Sequence, residues 1–266
     1  MAIIALQSAA SGLSALNTAL DVTANNLANV NTAGFKSSRV NFQDLLYIER
    51  AQPGVENANG DQRPIGLYVG LGVRPSGTQL NFDQGSPLVG TQFDLMIEGN
   101  GFFRVAVDES LGGIAYTRAG NFVRNADGEI VLASADGRRL DPSISIPADA
   151  IAFSVSEDGR VLYTQAGDPA PQEAGQIQLA TFINPAGLKQ IGETLFTETS
   201  ASGAPIEGEP GTDNRGRIRQ GMIESSNVDP TRELIDLIRT QRAFEMNSQT
   251  IRAADDTLRT VAQLRR

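Results

Sequence analysis

The sequence contains no cysteine, no histidine and no tryptophan, and only two of its 266 residues are lysine. Without cysteine, the chain has no disulfide, no thiol nucleophile and no thiolate ligand for a metal. Without histidine, it lacks the commonest general base at neutral pH, and a Ser-His-Asp triad cannot form. Any catalysis would depend on carboxylates, hydroxyl groups, arginine or the lysines Lys36 and Lys189. These absences exclude the commonest catalytic and metal-binding arrangements.

Basic residues are also scarce. The chain has 22 Lys and Arg against 31 Asp and Glu, which gives a net charge of −9. An acidic chain without a basic run is a poor candidate for nucleic-acid binding. Arg215, Arg217 and Arg219 come closest to a cluster, and their alternation is typical of one solvated strand face.

Long hydrophobic runs are missing as well. No run of about 20 apolar residues is present, so we expect no membrane-spanning helix. The first apolar residues follow no Lys or Arg and are interrupted by Gln, Ser and Asn. We therefore expect no cleaved secretory signal.

The first 35 residues carry one charged side chain, Asp21. Apolar side chains recur there every seven residues, with two more placed three residues after members of the series. This pattern predicts a helix that packs against other helices. Residues 31–34 predict its end, with Gly34 in the left-handed conformation. The apolar positions are Leu6, Leu13, Leu16, Leu20, Leu27 and Val30.

The last 40 residues repeat this organisation. Asp229 and Pro230 predict an N-cap and a first helical position. A second seven-residue series follows, flanked by further apolar residues, and charged side chains fill the other faces. The series is Leu237, Phe244, Ile251 and Leu258, and its flanks are Leu234, Ile238, Ala254 and Val261.

The middle of the chain has a different character. Short apolar runs are separated there by glycine turns, of which Asp127-Gly128, Asp136-Gly137 and Asp158-Gly159 are typical hairpin turns. We predict a small antiparallel β domain over residues 93–197, joined to the ends by extended linkers at 36–92 and 198–225. The predicted strands lie at 102–107, 114–118, 130–133, 151–155, 161–163 and 177–182.

The predicted fold class is therefore α+β, with residues 1–35 and 226–266 paired as a coiled-coil-like helical domain. Burying the four leucines of the first helix contributes about 6–12 kcal/mol. Ordering a helix of this length costs about 30–60 kcal/mol in backbone entropy, which helical hydrogen bonds offset only in part. We expect both ends to be mobile in a monomer and to become ordered in a polymer. An ordinary two-helix hairpin within one monomer is the alternative.

Four segments together resemble one family. Residues 24–36 (ANNLANVNTAGFK) and 225–258 (SSNVDPTRELIDLIRTQRAFEMNSQTIRAADDTL) resemble the terminal motifs of the bacterial flagellar rod and hook proteins. Residues 93–105 (FDLMIEGNGFFRV) and 116–140 (YTRAGNFVRNADGEIVLASADGRRL) resemble the β-domain core of that family. The order of the segments is also the family's, so the resemblance is specific.

Two further segments distinguish subgroups of the family. Residues 52–75 and 175–205 resemble members that form the distal part of the rod more than proximal rod subunits. The chain is also too short for a typical hook protein. A proximal rod subunit is the nearest alternative.

The resemblance implies a structural protein of the flagellar basal body, without catalytic residues, metal or cofactor. It implies export through the flagellar type III apparatus and assembly into a helical homopolymer that crosses the periplasm, carries torque and surrounds the export channel. Its implied partners are further copies of itself, proximal rod proteins, the hook protein or hook-rod junction, and the P-ring and L-ring proteins. Nucleic acid and direct membrane insertion are not implied.

The subunit interface is expected on the two apolar series. Asn25, Asn26 and Asn29 are expected there too, as hydrogen-bonding partners of neighbouring subunits or of the turn into the linker. A solvated face or local caps would explain these asparagines equally well.

Two other classes of function are weighed against the rod. A secreted carboxylate enzyme such as a glycoside hydrolase would use an Asp/Glu pair. No segment supports such a pair beyond the presence of carboxylates, and aromatic platforms are scarce. A secreted monomeric binding domain would fold its helices without partners.

Overall fold

The computed structural model describes residues 2–55, 63–165 and 168–264 and is an α+β structure. A helix lies at each end, and the described region between them is rich in strands. Helix α1 spans Ala2–Ala28, and helix α2 spans Pro230–Leu264. The α+β prediction is thereby confirmed.

Helix α1 ends earlier than its apolar series predicts. Asn29 accepts a hydrogen bond from the backbone nitrogen of Thr32 at 3.2 Å, which begins a turn. Asparagine and threonine are also among the weaker helix formers, so the helix does not continue through them. Val30 therefore lies in the turn and not on the helix. Gly34 has the predicted positive φ of 69°, but it ends this turn and does not cap the helix.

Helix α2 begins as predicted. The Asp229 carboxylate accepts hydrogen bonds from the backbone nitrogens of Thr231 at 3.0 Å and Arg232 at 3.4 Å. Pro230 occupies the first helical position, where its missing N–H leaves no helical bond unmade.

The chain divides into two compact units. Unit 1 comprises Met1–Leu27, Ser38–Gln79 and Asp229–Arg266, and unit 2 comprises Ala28–Ser37 and Leu80–Val228. The chain therefore passes between the units four times, after residues 27, 37, 79 and 228.

Unit 1 contains both helices and two strand pairs. Strand β1 pairs with β4, and β2 pairs with β3 in an antiparallel register that sets Ile48 opposite Val69. Most side chains of these strands are exposed, so the sequence here has no alternation of apolar and polar residues that would reveal strands. Part of the stretch expected as linker is thus paired strand. The strands are β1 (Ser38–Asp44), β2 (Tyr47–Ala51), β3 (Leu67–Gly70) and β4 (Val73–Leu80).

Unit 2 contains the remaining strands, and each of the six predicted apolar runs overlaps one of them. The strands are β5 (Pro87–Val89), β6 (Leu95–Glu98), β7 (Phe102–Ala106), β8 (Ile114–Thr117), β9 (Phe122–Arg124), β10 (Ile130–Leu132), β11 (Ala150–Val155), β12 (Arg160–Gln165), β13 (Asp168–Gln176), β14 (Leu179–Thr181), β15 (Lys189–Gly192), β16 (Leu195–Thr197), β17 (Ile206–Gly208), β18 (Arg217–Gln220) and β19 (Met222–Glu224).

A six-stranded antiparallel sheet organises unit 2, in the order β15-β16-β8-β7-β14-β17. Strand β7 is covered on both faces, because adjacent side chains of a strand point to opposite sides. Phe103 joins the larger core cluster, and Phe102 packs edge-to-face against Phe182 and Phe196 on the other side.

The predicted hairpin turns are confirmed. Gly128, Gly137 and Gly159 have φ values of 86°, 55° and 81°. The turn at Gly128 connects β9 to β10, and the turn at Gly159 connects β11 to β12. Glycine is favoured at each position because a side chain is strained in this conformation.

Large apolar side chains are buried in unit 2 only, among the residues that the structure describes. Its core includes Leu95, Ile97, Phe103, Phe122 and Leu179, each essentially inaccessible to solvent. In unit 1 the buried apolar side chains are two alanines, Ala9 and Ala15. Unit 2 therefore has a hydrophobic core of its own, whereas unit 1 has none in the described chain.

Gly34 is the glycine whose replacement tests this packing most directly. A Cβ at Gly34 would overlap the backbone nitrogen of Ala119, whereas a Cβ at Gly203, which also has positive φ, meets nothing within 4 Å. We expect Gly203→Ala to cost about 1–2 kcal/mol, the strain of the left-handed backbone alone. Gly34→Ala should cost about 1–3 kcal/mol more, because the neighbouring backbone must shift.

Thermal unfolding of the two purified variants beside the wild type measures this difference. Equal losses of stability in the two variants would show that the close approach of Gly34 to Ala119 is wrong.

Candidate functional site

The apolar series of α1 lies partly buried along the helix. Leu6, Leu13, Leu16, Leu20 and Leu27 all retain intermediate exposure. The sequence placed these residues on one line correctly, since all of them fall within the helix. Whether that line contacts another subunit stays a prediction.

The apolar series of α2 is partly covered, and a second apolar surface lies beside it. Leu237, Phe244 and Ile251 have intermediate exposure, and Leu258 is exposed. Four other apolar side chains are between 45% and 62% exposed. The seven-residue spacing identifies a single line of residues on the helix. Leu234 and Ile238 were therefore predicted only as flanks of that line, and Ile235 and Met246 were not predicted. The four are Leu234, Ile235, Ile238 and Met246.

The contacts between α1 and α2 are polar where the structure gives them. The Asn26 amide donates to the Glu233 carboxylate at 3.0 Å. Nearer the middle of the helices, Gly12 lies close to Asn247, since a Cβ on this glycine would be 3.1 Å from the Asn247 amide nitrogen. These contacts leave the four exposed side chains of α2 uncovered.

Asn26 lies on α1 and bonds to its own chain at the start of β1. It is 2% exposed, and its amide also donates to the backbone oxygen of Ser38 at 2.8 Å and accepts from the Ser38 nitrogen at 3.0 Å. Burial raises the pKa of Glu233, whereas the bond from Asn26 lowers it. Asn25 is exposed, and the Asn29 side chain accepts a bond from the Thr32 hydroxyl at 3.1 Å.

Another exposed apolar surface of unit 1 is formed by residues of β2 and β3 and by Leu46, which precedes β2. Leu46 is 82% exposed, and Tyr47, Leu67 and Tyr68 are each more than half exposed. Apolar side chains that cluster on the surface are characteristic of interaction sites. These residues were not predicted as interface residues, because their stretch was predicted to be a linker.

The arginines of the predicted cluster separate. Arg217 and Arg219 lie exposed on β18 and pair with Glu157 at 3.1 Å and Glu98 at 2.6 Å. Arg215 is buried and donates to the backbone oxygen of Glu209 at 3.2 Å. The prediction of a solvated strand face is therefore confirmed for Arg217 and Arg219 and wrong for Arg215. In the described chain, no three carboxylates come together to hold a metal ion.

Unit 2 contains a buried ion pair, Lys36–Glu224, which we call the clasp together with its backbone contacts. The Lys36 ammonium lies 2.6 Å from a carboxylate oxygen of Glu224, and both side chains are 0% exposed. The same oxygen accepts from the Gly85 backbone nitrogen at 2.8 Å, and the ammonium also donates to the Asp83 backbone oxygen at 2.7 Å. The clasp thus joins residues 188 positions apart.

Arg118 provides a second positive charge beside Glu224, and we include it as the third residue of the clasp. Its guanidinium lies 3.5 Å from the other carboxylate oxygen of Glu224 and over the ring of Phe102, at 5.3 Å from the ring centroid. Burial lowers the pKa of Lys36 and of Arg118, and Glu224 opposes both shifts. Burial opposes the charges of the clasp, so each of them depends on its partners.

Three family models match separate parts of the chain. A model of the flagella basal body rod protein matches residues 6–36, and one of the D1 domain of the flagellar hook protein FlgE/F/G matches residues 96–163. A model of the C-terminal region of the flagellar basal body rod FlgEFG proteins matches residues 219–264.

Relatives align along nearly the whole chain. The flagellar basal-body rod protein FlgG of Caulobacter vibrioides is 44% identical over 264 residues, which cover 98% of this chain and 99% of the relative. The chain belongs to the flagellar basal-body rod protein family. The FlgG protein of Bacillus subtilis is 37% identical over 98% of both chains. The hook protein FlgE of Escherichia coli is 37% identical over 45% of this chain and 29% of its own length.

Each of the three matched segments of this rod-family chain contributes one residue to the clasp. Lys36 ends the first segment, Arg118 lies in the second, and Glu224 lies in the third. The family resemblance is therefore distributed over segments that meet at one buried point. In the described part of the chain, neither helix is apolar enough over a sufficient length to cross a membrane.

The two lysines of the rod-family chain form a natural pair for testing the clasp. Lys36→Met keeps the apolar stem but leaves Glu224 without its principal partner, and breaking a buried pair in this way costs about 3–5 kcal/mol. Lys189 is exposed, and Lys189→Met should change stability by no more than about 0.5 kcal/mol. Calorimetric unfolding of the purified variants measures both effects. Equal stability of the two variants would contradict the burial of the clasp.

Proposed function

We propose that this rod-family protein is a subunit of the distal rod, and that copies of it assemble helically into a rigid shaft around the export channel. The observation that carries the proposal is the contrast between the units. Unit 2 has its own core, whereas the described part of unit 1 buries no large apolar side chain and exposes five of them on α2. Unit 1 needs other molecules to cover these side chains.

Other copies of the same chain are the covering molecules in this proposal. Burial of apolar surface contributes about 25 cal/mol per Å², and several half-exposed Leu, Ile and Met side chains on one helix supply such surface. A contact between two different patches, repeated by every subunit, produces an open helical filament and not a closed dimer.

The two terminal helices form the inner tube in this assembly. We keep both predicted series at the helix–helix interface, and we add the exposed residues of α2. Asn25 and Asn29 stay as proposed interface residues. Asn26 bonds to Ser38 and Glu233 of its own chain, and Val30 lies in the turn after α1, so we do not place these two residues between subunits. The residues are Leu6, Leu13, Leu16, Leu20, Leu27, Leu234, Leu237, Ile238, Phe244, Ile251 and Leu258, together with Ile235 and Met246.

The distal position is supported by segments 52–75 and 175–205, which resemble distal more than proximal rod subunits. Full-length similarity to proteins named as basal-body rod proteins, against partial similarity to a hook protein, favours the rod over the hook. We propose proximal rod proteins below, the hook or hook-rod junction above, and the P and L rings outside unit 2. Export would proceed through the flagellar type III apparatus without a cleaved signal, and the rod would cross the periplasm and carry torque without catalysis.

Ile238→Asp tests the proposed interface. At this half-exposed position the substitution should lower monomer stability by about 1 kcal/mol, because half of the burial of the isoleucine is lost. In the polymer it would be buried without a partner, which costs far more. We expect normal export, no assembly and no swimming when the variant is expressed in a strain that lacks the gene. Gln241→Asp, at an exposed polar site one turn away, serves as the matched control and should swim.

Three strains separate the possible outcomes. A strain without the gene should be non-motile, with rods that stop short, and this result distinguishes a rod subunit from a secreted binding domain. Swimming by the Ile238→Asp strain at the level of the Gln241→Asp strain would refute the proposed interface.

A further inference from the structure

The residues around the clasp coincide with the places where the chain passes between its two units. Residues 36 and 37 precede the second passage, residues 81–85 follow the third, and residues 224–228 precede the fourth. These three segments come from distant parts of the sequence. Within unit 2 they are connected to one another by side-chain hydrogen bonds.

Asn227 makes most of these connections. Its amide oxygen accepts from the backbone nitrogen of Ser37 at 2.7 Å, and its amide nitrogen donates to the backbone oxygens of Asn81 at 2.8 Å and Asp83 at 3.1 Å. Asn81 in turn donates its backbone nitrogen to the Ser37 oxygen at 2.8 Å. One side chain thereby holds the backbones of three passages together.

The Lys36–Glu224 pair forms a second connection between the same segments. The Asp83 backbone oxygen accepts from both the Lys36 ammonium and the Asn227 amide. The Gly34 backbone nitrogen donates to the backbone oxygen of Glu224 at 2.8 Å. At Gly85 a side chain would overlap the Ser225 backbone oxygen, so the two segments approach more closely than any residue with a side chain permits.

We infer that Asn227 and the Lys36–Glu224 pair are positioning residues that cross-link the chain passages, so that mechanical load is shared between them. This inference rests on the proposed rod function, because a protein that carries no torque has no load to share. A single passage without cross-links could twist about its backbone dihedrals. Three passages that are hydrogen-bonded to one another resist that rotation together. Asn227 adds cross-linking through hydrogen bonds alone, without a hydrophobic side chain whose loss would disturb the core.

The test compares Asn227→Ala with Asn184→Ala. Asn184 also donates its amide to a backbone oxygen of unit 2, that of Ala201 at 3.0 Å, but it lies away from the passages. We expect the thermal midpoints of the two full-length variants to agree within a few degrees. Hydrogen exchange at residues 37 and 81–83 should accelerate about ten- to a hundredfold in Asn227→Ala, as the loss of several hydrogen bonds predicts. The Asn184→Ala variant should exchange there like the wild type.

Swimming under load supplies the functional measurement. Strains with either variant should swim alike in dilute medium, whereas Asn227→Ala should lose speed relative to Asn184→Ala as viscosity is raised. Asn227→Asp keeps the acceptor for Ser37 and loses both donors. It should therefore release residues 81–83 while protecting Ser37, which keeps the test valid if the alanine variant fails to fold.

Two results would overturn the inference. One is acceleration of exchange throughout unit 2, which would make Asn227 a general stabilising residue. The other is equal loss of speed with viscosity in the Asn227→Ala and Asn184→Ala strains. If the strain without the gene swims normally, the proposed rod function itself fails, and the mechanical role of the cross-link fails with it.

Discussion

The contact between Lys36 and Glu224 is the constraint on which the rest of unit 2 depends. Two opposite charges without solvent exposure lie 2.6 Å apart, although they are 188 positions apart in the sequence. An unpaired charge in that place would be strongly destabilising. Unit 2 is therefore stable only when the segment that contains Lys36 and the segment that contains Glu224 are both packed in it. The segments that lead into α1 and α2 are thereby part of the β-rich unit and not merely attached to it.

Stability is distributed unequally between the two units. Unit 2 combines a hydrophobic core with the clasp, whereas unit 1 relies on paired strands and polar contacts such as Asn26 to Glu233 at 3.0 Å. Several of its apolar side chains, on α2 and on strands β2 and β3, are exposed to solvent. A folded unit 2 with an incomplete unit 1 suits a subunit that gains its last stabilisation from neighbours, since apolar surface left in water is the main driving force for association.

The sequence predicted the features that have a local pattern. The seven-residue series identified both helices, the Asp229-Pro230 pair identified the start of α2, and Asp-Gly turns identified hairpins such as β11–β12. Strands β1–β4 were not predicted because their exposed side chains show no alternation. The clasp was not predicted either, since lysine is rarely buried and its partner is remote in sequence. One feature of the sequence could have indicated a special role for Lys36: it is one of only two lysines, and it ends the first family segment.

The central claim is that neighbouring copies cover unit 1. Arg242 and Arg252 are both exposed on α2. The rate of tryptic cleavage at these two sites, compared between dilute monomer and assembled rods, measures directly whether neighbouring copies cover α2. The account predicts rapid cleavage at both sites in the monomer, with a resistant fragment that contains unit 2, and protection of both sites in the rods. Equal cleavage rates in monomer and rods, or protection already in the dilute monomer, would contradict it.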